Sequence, residues 1–62
     1  MSTRMTILEE FTAEDGTQFQ LTYTPGSATP WTLIVNGAPE ESYDDYGDAM
    51  RAWRETLDEV TE

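Results

Sequence analysis

The side chains of this chain that could do chemistry are almost all carboxylates. Thirteen Asp and Glu stand against three arginines, with no lysine, histidine or cysteine, for a formal net charge of -10. This inventory lacks the common general base, the thiolate nucleophile and the Schiff-base amine. Ser2, Ser27 and Ser42 have no base to activate them and read as terminus, loop and helix-start residues. Paired carboxylates could run acid and base steps only in a cleft that shifts one pKa, and 62 residues leave little volume for one. The expectation is a protein that is not an enzyme and carries no cofactor.

Asp44, Asp45 and Asp48 are close enough in sequence to suggest a hard-cation site. Their spacing is wrong for an EF-hand, which alternates its ligands, places Gly at the sixth position and ends on a distal Glu. The segment Asp44-Asp45-Tyr46-Gly47-Asp48 instead compresses three acids around the start of a helix. It reads as an N-cap and a solvated first turn, with no metal site expected.

The acids are concentrated toward the C-terminal side. Residues 1 to 39 carry four acids against Arg4, whereas residues 40 to 62 carry nine against Arg51 and Arg54, so seven of the ten net negatives lie in the second segment. A field of this sign repels phosphate and anionic lipid and attracts basic grooves, so neither a nucleic acid nor a membrane is the expected partner. Without cysteine there is no disulfide framework. The N-terminal Met1-Ser2-Thr3-Arg4 leads into an apolar run too short for a secretion signal or a membrane span. A soluble, cytoplasmic protein of one small domain, residues 1–62, is expected, as a monomer or weak homodimer.

Apolar periodicity argues that the chain folds despite its charge. Thr17 to Thr24 alternates, with Phe19, Leu21 and Tyr23 on one face and Gln18, Gln20, Thr22 and Thr24 on the other. Met5 to Thr12 is rich in strand formers, and Glu14-Asp15-Gly16 can turn it back onto this strand as a hairpin. A two-residue turn pairs Phe11 with Gln20. A three-residue turn with a Gly16 bulge pairs Phe11 with Phe19 and Ile7 with Tyr23, and it is preferred because it joins apolar faces. It also sets Glu9 beside Leu21, so Glu9 must reach the sheet margin or Leu8 must compete with Ile7 for the core. After a Pro- and Gly-containing loop, Trp31 to Val35 resumes the strand pattern and Asn36-Gly37 signals a second hairpin. A short return strand over Glu40 to Tyr43 follows, and Pro39 with two glutamates suits an edge.

Asp45 then caps a helix with Asp48 three residues on, and Tyr46, Met50, Trp53, Leu57 and Val60 form one apolar stripe. On the other face, Arg51 with Glu55 and Arg54 with Asp58 have i, i+4 spacing. That leaves Glu40, Glu41, Asp44, Asp45 and Asp48 unpaired at the helix start, with Glu59 and Glu62 at its end. The fold class expected is α+β: an antiparallel sheet of three to four strands from two hairpins, packed by one C-terminal amphipathic helix.

In size, charge and lack of catalytic side chains, the chain resembles the small acidic anti-defence proteins of phages and mobile elements, anti-CRISPR proteins among them. The resemblance is one of composition and rests on no motif. It implies a DNA mimic whose carboxylates imitate a phosphate row and occupy a basic nucleic-acid-binding groove of a host complex, acting in the host cytoplasm. From the residues themselves, the partner-binding surface is expected at Glu40, Glu41, Asp44, Asp45 and Asp48, with Tyr43 and Tyr46 as aromatic anchors. The second reading is a small acidic intracellular protein of a halophilic or high-GC organism. Its charge would serve solvation, and it could pair with itself through a sheet edge. A mimic should gather its acids on one face, and solvation should spread them.

Overall fold

A computed structural model describes residues 4–60 of the chain. Ser2 and Glu62 lie outside the described residues. Four strands, β1 (Thr6–Thr12), β2 (Gln18–Tyr23), β3 (Trp31–Val35) and β4 (Ala38–Tyr43), precede one helix, α1 (Tyr46–Val60). The strands form a single antiparallel sheet in the order β1-β2-β3-β4. This is an α+β fold of β-β-β-β-α topology, and the return strand is longer than Glu40 to Tyr43, taking in Ala38 and Pro39. A proline is tolerated there because β4 is an edge strand with one unpaired side.

Both hairpin turns are built by local sequence. Ala13 donates its N–H to the Thr17 carbonyl at 2.8 Å, which leaves Glu14, Asp15 and Gly16 as a three-residue connection. Gly16 takes φ +93° there, where a β-carbon would be strained. The Asp15 carboxylate accepts the Thr17 N–H at 2.9 Å and stiffens the turn. In the second hairpin Asn36 and Gly37 both have positive φ, 52° and 82°, as a two-residue turn of type I′ requires. Asn36 also reaches β2: its N–H donates to the Gln18 carbonyl at 2.8 Å, and its Oδ1 accepts the Gln18 N–H at 3.0 Å.

Near the turn, the β1–β2 register follows the three-residue reading, with Phe11 opposite Phe19 and Glu9 opposite Leu21. Farther along it departs. Ile7 pairs with Thr22 and not with Tyr23, because Leu8 is an extra residue in a bulge between Ile7 and Glu9. Residues directly opposite in a ladder share a face, so the one-residue slip turns Ile7 away from the face that holds Leu21. Neither Ile7 nor Leu8 enters the core, and Glu9 reaches solvent at the strand margin.

Helix α1 lies over β3 and β4. The core consists of Ala13, Phe19, Leu21, Leu33, Ala49 and Trp53, with Phe11, Trp31, Val35, Tyr43, Met50, Leu57 and Val60 packed around it. Tyr46, expected on the sheet-facing stripe, is 54% exposed at the first turn. Ala49, one turn on, is fully buried, since a methyl group lets the helix approach the sheet. Thr22, expected to face solvent, is also fully buried. It sits between Ile7 and Thr32 on a central strand, and its hydroxyl donates to the Thr32 carbonyl at 3.4 Å. Burial is tolerated because that hydroxyl has a partner.

Candidate acidic and aromatic surface

Asp44, Asp45, Tyr46 and Asp48 lie where β4 gives way to α1, with Tyr43 at the last position of β4 and Glu40 and Glu41 farther back along that strand. Asp45 caps the helix: its carboxylate accepts the Asp48 N–H at 3.1 Å, and its carbonyl accepts the first intrahelical bond, from Ala49, at 3.0 Å. Asp48 falls in the first turn, where a negative side chain meets the positive end of the helix dipole. Gly47 leaves room for this cap, since a β-carbon built on it would stand 3.0 Å from the Asp45 carboxylate. Asp44, Asp45 and Asp48 are all exposed.

Strand β4 contributes Glu40, Glu41 and Tyr43. Glu41 pairs with Leu33 and Tyr43 with Trp31, so both belong to the helix-covered face. Glu40 is the unpaired residue of a bulge, because the ladder steps from Leu33–Glu41 directly to Ile34–Pro39. Both glutamates are exposed at the sheet edge, and Tyr43 is half-buried. Burial pushes the Tyr43 phenol above its ordinary pKa, and the negative charges of Glu41, Glu55 and Asp48 push it further. The fields of β4 and α1 therefore add at this hydroxyl. Among the described residues no group of three or more His, Cys, Asp or Glu side chains could hold a metal ion.

Aromatic rings continue the surface. Trp31 stands 5.2 Å from Tyr23 and 6.0 Å from Tyr46, centroid to centroid, the second pair edge-on, while Tyr43 is its cross-strand neighbour. Four aromatic residues from three strands and the helix thus gather beside the acids. Tyr23 and Glu55 were not expected in this group. Tyr23 could have been found by pairing strand ends across the loop that the Thr24 N–H to Pro30 carbonyl bond closes at 2.8 Å. Glu55 has i, i+4 spacing to Arg51, but among the described residues neither Arg51 nor Arg54 lies within ion-pair distance of a carboxylate. The two arginines instead line a shallow groove with Gly47 and Met50 along a strip of the helix.

Chemically, this surface offers exposed carboxylates beside partly exposed rings. Among the described residues no helix is long and apolar enough to cross a membrane. The chain matches no known family profile, no curated protein and no solved structure.

Proposed function

We propose that the chain is a non-enzymatic acidic inhibitor that occupies a basic, nucleic-acid-binding groove of a host defence complex, in the manner of anti-CRISPR or anti-restriction proteins. The observation that carries this reading is the run of exposed acids along β4 and across its junction with α1, Glu40, Glu41, Asp44, Asp45 and Asp48, whose neighbour Tyr43 has its pKa raised by burial and by Glu41, Glu55 and Asp48. A surface of this kind imitates spaced phosphates, and a cationic groove binds it through the same charge complementarity that nucleic acid uses. Tyr46, in edge contact with Trp31, supplies an aromatic anchor rimmed by charge. Action in the host cytoplasm, without direct contact to nucleic acid or membrane, belongs to the same proposal.

The test is competition. A partner captured with this chain is presented with duplex DNA and with the Asp44→Asn, Asp45→Asn variant. Asparagine caps a helix about as well as aspartate, so this variant removes charge while keeping the fold. Mutual exclusion with DNA, and weaker and less salt-dependent binding by the variant, are expected. Simultaneous binding of DNA and this chain, or unchanged affinity in the variant, would overturn the proposal.

One observation favours the solvation reading. Glu9, Glu10, Glu14 and Asp15 stand on β1 and its turn, at the opposite edge of the sheet from β4, so acids occupy both edges. If solvation is their purpose, urea stability should rise steeply with molar salt, whereas an inhibitor of a non-halophilic host folds fully in dilute buffer.

A further inference from the structure

Large apolar side chains left exposed are few, and they are not scattered. Among the described residues Met5 (54%), Ile7 (47%) and Leu8 (40%) lie on or beside β1, and the fourth, Tyr46, belongs to the surface already described. The two sheet edges are also unlike each other. On β4, Pro39 lacks a donor, Glu40 breaks the ladder and Glu41 adds charge, all of which discourage a further strand. β1 also carries a bulge, at Leu8, but no proline and no charge from Met5 to Leu8; the bulge turns Ile7 to the face that lacks Leu21, and an apolar stretch is left at the margin.

The charges flanking that stretch name its occupant. Arg4 precedes Met5-Thr6-Ile7-Leu8, and Glu9-Glu10 follows it, so the segment from Arg4 to Glu10 is positive at one end, apolar in the middle and negative at the other. Placed antiparallel against itself on a two-fold axis near Ile7, the strand sets Arg4 of each copy beside the Glu9-Glu10 end of the other. A parallel arrangement would set like charges together. We infer that β1 is a self-recognition edge, through which a second copy of this chain docks antiparallel and covers Met5, Ile7 and Leu8. The acidic surface on β4 and the start of α1 is at the far edge and stays free in both copies.

Salt separates this association from groove binding. Two bodies each carrying a net charge of -10 repel over a Debye length, while exposed ion pairs contribute little, so screening favours the dimer. Binding to a basic groove weakens under the same change. Failure of one inference therefore leaves the other standing.

The experiment is sedimentation equilibrium on the whole chain, up to about 0.5 mM protein, in about 50 mM and about 500 mM NaCl, over which the Debye length shortens about threefold. A monomer–dimer equilibrium is expected, tighter at the higher salt. Ile7→Lys and Leu8→Lys, made at exposed positions, should each weaken it by about tenfold or more while the circular dichroism spectrum is retained. Arg4→Glu should weaken it less, and Arg4→Glu combined with Glu10→Arg should restore it. Tyr46→Ala, distant from the edge, should leave it unchanged. A chain that stays monomeric throughout would overturn the inference. So would a dimer indifferent to both lysine variants, or one that Arg4→Glu fails to weaken.

Discussion

The rings of Tyr46 and Trp31 meet edge to face, with centroids 6.0 Å apart, and so join the first turn of the helix to the first residue of β3. More than half of Tyr46 is exposed, while Trp31 is partly buried and also meets Tyr23 at 5.2 Å. The pair thus belongs both to the packing of the domain and to its candidate binding surface. Aromatic pairs are worth about 0.5–1.5 kcal/mol beyond their burial. Tyr46→Ala should cost about 1 kcal/mol in urea unfolding, and Trp31→Ala, which loses contacts with several rings, about 3 kcal/mol. Equal costs would mean that the cluster is not organised around Trp31.

Asp45 carries both charge and cap. Asp45→Ala should destabilise the domain by about 1 kcal/mol, because the Asp48 N–H loses its acceptor, whereas Asp45→Asn should cost only a few tenths. Denaturant midpoints of the two variants make the comparison. If alanine and asparagine behave alike, the cap contributes nothing.

Tyr43 gives the domain a stability change on the alkaline side. Its folded pKa is raised above the ordinary value of 10.0, by burial first and then by Glu41, Glu55 and Asp48. The neutral phenol is therefore favoured in the folded state. This stabilisation is fully present below the unfolded pKa and is lost as pH rises through the folded one. Spectrophotometric titration, read as the difference from Tyr43→Phe, should place this phenol above free tyrosine. Glu41→Gln with Asp48→Asn should lower it without returning it fully to 10.0, since burial remains the larger cause.

Asp15 acts at the acid end. The Thr17 backbone N–H, and then the Thr17 side chain, hold its carboxyl below the ordinary 3.8. A depressed folded pKa stabilises the fold above the unfolded value, and the effect is lost as pH falls through the folded one. Urea midpoints across this acid range should fall less steeply in Asp15→Asn than in the parent chain. The group is exposed, so a small change is expected, and identical pH profiles would show that the turn does not depend on this carboxylate.

Much of the architecture was legible because its signals act over a few residues. Gly16 and Asn36-Gly37 mark turns that only positive φ can make, and both hairpins follow from them. Asp45 and the stripe from Met50 to Val60 located the helix, since capping and amphipathic spacing belong to consecutive residues. Of the candidate surface, the cap at Asp45 and the nearness of Tyr43 and Tyr46 to the acids could be read in the same way. The contributions of Glu55 and Tyr23 could not. Glu55 acts through its charge on a strand residue twelve positions earlier, and Tyr23 reaches Trp31 across a loop.

By itself the sequence determined the sign and crowding of the charge, the order of strands and helix, both turns and the helix cap. Each depends on residue type and near-neighbour spacing. Only the tertiary structure decided that bulges at Leu8 and Glu40 break the ladders, that Thr22 is buried and that Ile7 is not. A ladder takes its register from side chains on both neighbouring strands and from the layer packed over it. With the helix lying over β3 and β4, the best-covered positions went to Leu21, Leu33 and Trp53, and the apolar residues of β1 were left at the margin. Local alternation could not reveal this, because a slip of one residue leaves the strand's sequence unchanged while exchanging its two faces.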